Sequence, residues 1–444
     1  MLSGSLWIAV PRFALPVALT SILEQLATFI GVLIVGRFSG DSAATEMAAL
    51  GSNMPLVSFV VNLSLGISLG ANVTIAIAMG RKDTAAAGKA VHTSLALSLL
   101  GLVFTLFGEL LSEPLLNVLN VPQETFAATL LYWRIYLVSV AAVMLYNFET
   151  AVYRSIGITT KPLRVLVVST LVNAALGLLF VAVFKLGVAG LGIASVVSYI
   201  VSALLLLRGL ITDRNIDECI RVNLKKLCID PRQAREIFKV GLPAGIQMGI
   251  FSVANIVIQG AVNSLGTNVI AASSAALALE FIFWAFVSSF GQACTTFTGQ
   301  NFGAKNIVRC KKTLCVCLME SELAVTILVV AVLLLGRQMI GIFNDEPQVV
   351  QLGYERLCII VPSYFFSMVY ESSSDYMRGY GISMAPAMLT ILGVCGTRLF
   401  WVIFVFAANP NFETIMFVYP VSLGLTALLL ACLLAVARPS RTCA

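Results

Sequence analysis

The amino-acid sequence predicts an all-α integral membrane protein with twelve transmembrane helices in two parallel, pseudo-symmetric lobes of six helices each. Hydrophobic residues make up 59% of the 444 residues and charged residues only 11%, with a mean hydropathy of +0.95. Soluble proteins carry about 25% charged residues. Long apolar runs recur along the chain, and the second half repeats features of the first. These three observations exclude a soluble globular fold.

Each predicted span is an apolar stretch of about 20 residues or more, the length of a membrane-crossing helix. Uniform apolar runs argue against an outer-membrane barrel, whose strands alternate. Only short polar segments such as Gly80-Arg81-Lys82-Asp83 separate the spans, and Pro362 is predicted to interrupt span 10. In chain order the spans are 13–36, 48–79, 90–111, 126–150, 164–184, 187–208, 239–263, 269–298, 314–336, 350–373, 386–408 and 414–437.

Basic residues indicate the orientation. With alternate loops on opposite sides, most Lys and Arg, including Arg154, fall on one face, and only Arg37, Lys185 and Arg337 fall on the other. The positive-inside rule makes the basic face cytoplasmic, so we expect both termini inside and a location in the plasma or inner membrane. A long basic loop separates the two lobes, which gives an N-terminal lobe 1–210, a cytoplasmic linker 211–238 and a C-terminal lobe 239–444.

Several functional classes are disfavoured. The 28 Lys+Arg against 22 Asp+Glu give a net charge of only +6 without a basic domain, so no nucleic-acid partner is expected. The single histidine, His92, and an isolated Cys315-x-Cys317 do not make a metal site. No P-loop string is present, and the short outer loops offer no catalytic constellation. We therefore expect neither an enzyme nor a bound cofactor, apart from a coupling ion.

The internal repeat is the most informative feature of the sequence. Because each unit has six spans, both halves enter the membrane from the same side and are related by an axis along its normal. Two such lobes are typical of transporters that work by alternating access. The matching strings are Ala14-Leu15-Pro16 with Gly241-Leu242-Pro243, Tyr132-x-Arg134 with Tyr354-x-Arg356, and Arg154-x-x-Gly157 with Arg378-x-x-Gly381.

Five strings carry a family resemblance: Ile34-Val35-Gly36-Arg37-Phe38-Ser39-Gly40, Gly66-x-x-x-Gly70-Ala71-Asn72, Gly241-Leu242-Pro243, Phe297-Thr298-Gly299-Gln300-Asn301 and Arg378-Gly379-x-Gly381. In order and spacing they resemble the multidrug and toxic compound extrusion (MATE) transporters of bacterial type, over nearly the whole chain. The resemblance implies export of organic, often cationic, amphiphiles in exchange for Na⁺ or H⁺.

The family's first-lobe ion site is incomplete in this sequence. Members that resemble it place an aspartate in span 1 at the position of Gly31, and often pair an Asn in span 5 with a carboxylate or amide four residues later. This chain keeps Asn173 but has Gly177 at the second position. The resemblance therefore implies that Asn173 alone of these positions remains available for the ion.

Glu24 is the candidate substitute. It lies two helical turns before Gly31 at the centre of span 1, where a carboxyl is costly unless it is paired, neutralised or facing water. Burial disfavours the ionised form, which favours a proton over Na⁺ as the exchanged ion. The adjoining Gln25 and Thr28 are expected to share its hydrogen bonds. The alternative is a buried glutamic acid that serves only helix packing.

Span 8 supplies a second candidate, Glu280, which we expect to pair with Arg398 of span 11, directly or through water. The alternative is that this pair only fixes packing. A cleft for amphiphiles needs apolar and aromatic walls with a few polar groups. Candidates by position are Phe29, Gln25, Asn255, Gln259 and Trp284, each of which could instead be a packing or lipid-facing residue.

The sequence favours a secondary antiporter that exports organic, cationic or amphiphilic compounds in exchange for H⁺ or Na⁺. The expected partners are small organic substrates, the coupling cation and membrane lipids, and we expect a monomer. The alternative function is a flippase for a lipid-linked precursor, which would need a strongly cationic cavity. Pro16 and Pro243 are predicted to let helices 1 and 7 bend beside the cleft.

Overall fold

The computed structural model describes residues 1–119 and 121–442, and all regular secondary structure in these ranges is helical. Eleven of the described helices are long and apolar enough to cross a membrane. They are α1 Leu6–Phe38, α2 Gly40–Gly80, α3 Thr84–Val118, α4 Gln123–Ser155, α5 Thr160–Val183, α6 Gly187–Thr212, α7 Pro231–Asn263, α8 Thr267–Gly303, α9 Ile307–Gly341, α11 Met384–Phe406 and α12 Phe412–Ala437.

A twelfth long helix, α10, has two segments, Pro347–Ile360 and Tyr364–Gly379, joined by the 3₁₀ turn Val361–Ser363; short helical segments also occur at Leu224–Lys226 and Pro439–Thr442. The predicted interruption at Pro362 is confirmed, because proline removes a backbone donor and crowds the preceding turn. Helices α1 and α7, in contrast, continue through Pro16 and Pro243. Every predicted span thus corresponds to a helix.

Backbone geometry repeats between the two halves. Lys82 and Lys305, each in the short turn after a long helix, both have left-handed φ angles, +59° and +58°. Gly157 and Gly381, at matching places after α4 and α10, have φ angles of +87° and +81°. A side chain at these two glycines would be strained. The sequence repeat therefore specifies the same turn conformations twice.

The chain divides into two compact units. Unit 1 comprises Met1–Ala18, Gly80–Lys82 and Ile246–Ala444, and unit 2 comprises Leu19–Met79 and Asp83–Gly245. The chain changes unit inside α1 and again inside α7. These units therefore differ from the predicted lobes 1–210 and 239–444, whose role as separately moving bodies stays a prediction.

In unit 1, the first half of α1 packs against the second half of the sequence. Val10, Phe13 and Val17 share a buried apolar cluster with Phe290 and Phe297 of α8, and the rings of Phe13 and Phe297 are 5.8 Å apart, edge to face. The Arg309 guanidinium also donates three hydrogen bonds of 3.0–3.1 Å to the carbonyl oxygens of Met1, Ser3 and Gly4. The amino-terminal segment is thus an integral part of unit 1.

In unit 2, helices α2 and α7 approach at backbone contact distance. A Cβ atom on Gly70 would collide with the carbonyl oxygen of Ile237, and one on Gly66 would collide with the backbone of Gly245. Small residues allow such close helix packing in membranes.

The predicted linker also packs into unit 2, because Ile216, Ile220 and Val222 are buried in its largest apolar cluster. Helix α3 holds the linker at two further points. The His92 ring bonds to the Gly88 carbonyl through Nδ1 at 2.7 Å, and its Nε2 accepts the Asn223 amide at 3.1 Å. Thr93 Oγ1 accepts the Asp230 amide at 3.0 Å. These bonds give His92 a role in anchoring the linker.

Candidate functional site

Glu24 is surrounded by protein in the middle of α1, yet its side chain keeps accessible surface. It interacts electrostatically with Arg154 in the last turn of α4, with Tyr146 about two turns earlier on α4, and with Tyr199 on α6. Arg154 is buried in the last turn of α4 rather than in the loop after it, and its place on the cytoplasmic side stays a prediction. Glu24 is not sealed by protein on all sides, and its role in coupling or in helix packing stays a prediction.

The neighbours of Glu24 on its own helix contribute less than expected. The Thr28 hydroxyl donates to the backbone carbonyl of Glu24 at 3.2 Å, which is a bond within one helix and does not engage the carboxyl group. Gln25 is half-buried, and Phe29 is exposed. Thr28 is therefore occupied by the helix backbone, and the groups that face Glu24 come from α4 and α6.

The region around Gly31 is closed by aliphatic side chains. A Cβ atom on Gly31 would lie 3.2 Å from both Leu191 methyl carbons, and one on Gly177 would lie 3.4 Å from Ile34 Cδ1. Asn173 donates its amide to Ser195 Oγ at 3.3 Å. The structure thus brings Glu24 together with Arg154, while Asn173 bonds to α6 beside an apolar wall.

Glu280 pairs with Arg356, and the prediction that it pairs with Arg398 is wrong. Arg356 donates from Nε to Glu280 Oε1 at 2.7 Å and from Nη2 to Oε2 at 3.2 Å. Only 1% of the Arg356 side chain and 5% of the Glu280 side chain are exposed. The two guanidinium nitrogens match the two carboxylate oxygens, so the ion pair is bidentate, and both side chains are shielded from solvent.

Arg398 lies on the other side of the same cluster. Its Nη1 donates to Asn255 Oδ1 at 2.6 Å, and its guanidinium lies 4.8 Å from the ring centre of Tyr419. The Arg356 guanidinium lies 5.4 Å from the same ring. Tyr419 therefore separates two arginines and places Glu280 and Arg398 in one connected cluster, although they do not pair.

The sequence model of the MatE family matches this chain twice, over residues 16–179 and 243–403. The chain belongs to the MatE family. This is the family of the MATE transporters, and the two matches correspond to the two halves of the repeat. Family members are membrane transporters for multidrug efflux and are not enzymes.

Two relatives illustrate the similarity. The probable multidrug resistance protein YoeA of Bacillus subtilis is 26% identical over 89% of this chain and 86% of its own length. The multidrug export protein MepA of Staphylococcus saprophyticus is 22% identical over 86% of this chain and 83% of its own length. A crystal structure of a MATE protein in a bent conformation superimposes with a TM-score of 0.89 at 19% identity, covering 99% of this chain and 97% of that one. This likeness shows the fold.

The substrate candidates of this MATE transporter occupy different settings. Trp284 on α8 is exposed, as is Phe29 on α1. Gln259 donates to Asn263 Oδ1 at 2.8 Å, one turn along α7, and Asn255 is committed to Arg398. Trp284 and Phe29 are therefore free to contact a ligand or lipid, whereas both polar candidates on α7 already have partners within unit 1.

Four residues of this MATE transporter were missed as site residues in the sequence: three are buried, and the fourth, Tyr419, is half-buried. Arg154 and Arg356 were seen as repeat positions but not as partners of Glu24 and Glu280, and Tyr419 carried no signal. Glu149 on α4 is fully buried, and within the described residues neither of its carboxylate oxygens has a hydrogen-bond partner. For Arg154, the sequence repeat offered a signal, because Arg154-x-x-Gly157 matches Arg378-x-x-Gly381. In the structure both arginines are buried in the last turn of a helix.

No group of three or more His, Cys, Asp or Glu side chains placed to hold a metal ion occurs in residues 1–119 and 121–442. The Cys315-x-Cys317 pair lies on opposite sides of α9, since Cys317 is buried and Cys315 is exposed. A local ion pair near the end of α10 is also present, with Arg378 Nη1 donating to Asp375 Oδ1 at 2.6 Å.

Proposed function

We propose that this MATE transporter is a proton-coupled antiporter that exports organic, cationic or amphiphilic compounds by alternating access. The observation that carries the proposal is the setting of Glu24, an accessible carboxyl beside the buried Arg154, next to a Gly31 region closed by Leu191. The printed names of the relatives, a multidrug export protein and a probable multidrug resistance protein, support an organic cargo.

The surroundings of Glu24 favour H⁺ over Na⁺. A hard cation needs several oxygen ligands, preferably carboxylates and carbonyls. The partners of Glu24 are instead one guanidinium and two phenols, and the Thr28 hydroxyl is bonded to the backbone. A positive guanidinium repels a second cation at short range. A proton needs only the carboxyl itself, so it is the ion that this site accommodates.

Coupling then follows from the change in charge at Glu24. When the carboxyl takes up a proton, Arg154 loses the attraction of a nearby negative charge. A ligand shifts a conformational equilibrium only by its different interactions with the two states. The altered Glu24–Arg154 interaction supplies that difference within unit 2, where α4 and α6 also lie.

The test is transport of a fluorescent organic cation in proteoliposomes, driven separately by a pH gradient and by a Na⁺ gradient. We expect the pH gradient to drive transport and Glu24→Gln to abolish it. Glu109→Gln is the control, because Glu109 is an exposed glutamate that pairs with Arg134 at 2.9 Å. Transport by wild type under a Na⁺ gradient alone would refute proton coupling. Proton-driven transport that survives in Glu24→Gln would move the coupling site to Glu280.

We further propose a plasma-membrane location with both termini cytoplasmic, a monomeric state, and membrane lipids as partners. The distribution of basic residues supports the orientation. The flippase alternative is not favoured by the relatives, whose printed names concern drug resistance and export.

A further inference from the structure

A small cavity of about 300 Å³ opens in unit 1 where α9 begins and α12 ends. This volume is at the lower end of the range for small-molecule sites. The lining residues lie within the first turns of α9, at the end of α10, and at or just beyond the end of α12. They are Lys311, Leu314, Tyr376, Leu434, Arg438, Pro439 and Ser440.

The polar part of the cavity is cationic. Lys311 and Arg438 both line it, and no acidic side chain is among its lining residues. Within the described part of the chain, Lys311 makes no ion pair with Asp or Glu. Tyr376 and Ser440 add two hydroxyl groups, and the Tyr376 hydroxyl lies 3.0 Å from that of Tyr380. Two cations with adjacent hydroxyls can bind an oxyanion.

The rest of the wall is apolar. Leu314 lines the cavity about two turns after the start of α9, and Leu434 lines it about one turn before the end of α12. On the same two helices, Met319 and Val436 are exposed, with 59% and 81% of their surface accessible. Exposed apolar residues on transmembrane helices contact acyl chains. The two cations thus lie near the helix ends, at the expected level of the head groups, and the two leucines lie further inside the same helices.

We propose that this cavity binds the phosphodiester of an anionic phospholipid, with Lys311 and Arg438 holding the phosphate and Leu314 and Leu434 contacting the glycerol and upper acyl carbons. Basic pockets between transmembrane helices on the cytoplasmic side bind anionic head groups. A soluble phosphate offers the same oxyanion chemistry but leaves the two leucines without a partner. The apolar wall therefore favours the lipid.

Arg438 is suited to this role by its backbone. It adopts a left-handed conformation with φ +39° directly after α12, and its Nε donates to the Ala435 carbonyl at 3.1 Å. This bond fixes the guanidinium at the C-terminal end of the helix, where a cation is favourable. The guanidinium is thereby held next to the cavity before any lipid arrives.

The experiment titrates phosphatidylglycerol against the purified protein in phosphatidylcholine nanodiscs and measures bound lipid by native mass spectrometry. Lys311→Gln and Arg438→Gln should each weaken phosphatidylglycerol binding about fivefold, since one cation near the surface of an anionic membrane contributes on the order of that factor. Lys312→Gln is the matched control, because Lys312 is the adjacent exposed cation and does not line the cavity. It should bind as wild type does.

Equal binding by all three variants would overturn the proposal. Inorganic phosphate that displaces phosphatidylglycerol at equal concentration would identify a soluble-anion site and would also overturn it. Lys311→Arg keeps the charge and should keep the affinity, which separates loss of the site from a folding defect in Lys311→Gln. The melting temperature of every variant in phosphatidylcholine alone provides the folding check.

Discussion

Arg356→Ala should strongly destabilise this MATE transporter, because it leaves Glu280 buried without its cation. Arg356 donates two hydrogen bonds, of 2.7 and 3.2 Å, to Glu280, and only 1% and 5% of the two side chains are exposed. Removing one partner of such a buried pair costs about 3–5 kcal/mol. Loss of the stacking between the Arg356 guanidinium and the Tyr419 ring, which are 5.4 Å apart, adds to the effect.

The repeat supplies a matched control. Arg134 occupies the position of Arg356 in the first half, but it pairs with Glu109 at 2.9 Å and Glu113 at 3.3 Å with 44–59% of these side chains exposed. Exposed pairs contribute about 0–1 kcal/mol. Arg134→Ala should therefore change the free energy of unfolding by less than about 1 kcal/mol.

Unfolding in mixed micelles, followed by tryptophan fluorescence, measures both variants. The double variant Glu280→Met with Arg356→Met should recover most of the lost stability, since apolar residues of similar volume can replace a buried pair. If Arg356→Ala costs no more than Arg134→Ala, then Glu280 does not depend on Arg356, and the reasoning from burial is refuted.

Three further predictions follow from unit 2 and the ends of the helices. Gly70→Ala should destabilise the fold by about 1–3 kcal/mol or more, because the added Cβ collides with backbone atoms. Gly260 has open space where a Cβ would lie, so Gly260→Ala should be neutral or stabilising by up to about 1 kcal/mol in the same unfolding assay. His92→Ala should speed hydrogen exchange of the Asn223 amide about fivefold, because it removes a hydrogen bond that contributes about 1 kcal/mol. If the exchange rate does not change, His92 does not anchor the linker. The hydrogen bond from Lys161 holds the pKa of Asp213 below its ordinary value. The ion pair therefore stabilises the protein above about pH 4, and this stabilisation is lost as the pH falls through the lower pKa of the folded state. Melting curves at acid pH should show this loss of stability, and Lys161→Met should remove the pH dependence.

The helices could be predicted from the sequence because hydropathy over about 20 residues is a local property. Span 10 is not among the eleven long apolar helices, yet both its helical character and its break at Pro362 were predicted. The repeat also predicted structure, because Gly157 and Gly381 have the same left-handed conformation. The changes of unit inside α1 and α7 were not predictable, since they depend on packing between distant segments.

Partner choice in the site could not be predicted for the same reason. Glu280 on α8 faces Arg356 on α10, and nothing in the sequence distinguishes that arginine from Arg398 on α11. Arg154 was assigned to the cytoplasm because it ends α4. Helical side chains point back toward the N-terminus, so an arginine in the last turn lies over the preceding turn, and Arg154 is within electrostatic range of Glu24.

The discontinuity of unit 1 has a consequence for biosynthesis. Its first 18 residues leave the ribosome long before Phe290 and Phe297, against which they pack. At about 5–20 residues per second, the amino-terminal segment waits on the order of ten seconds or longer for those partners. Unit 2 is complete once Gly245 has been made, so it can assemble first. During that interval the apolar start of α1 lacks the residues of α8 against which it packs. A truncated chain that ends before α8 would never supply them.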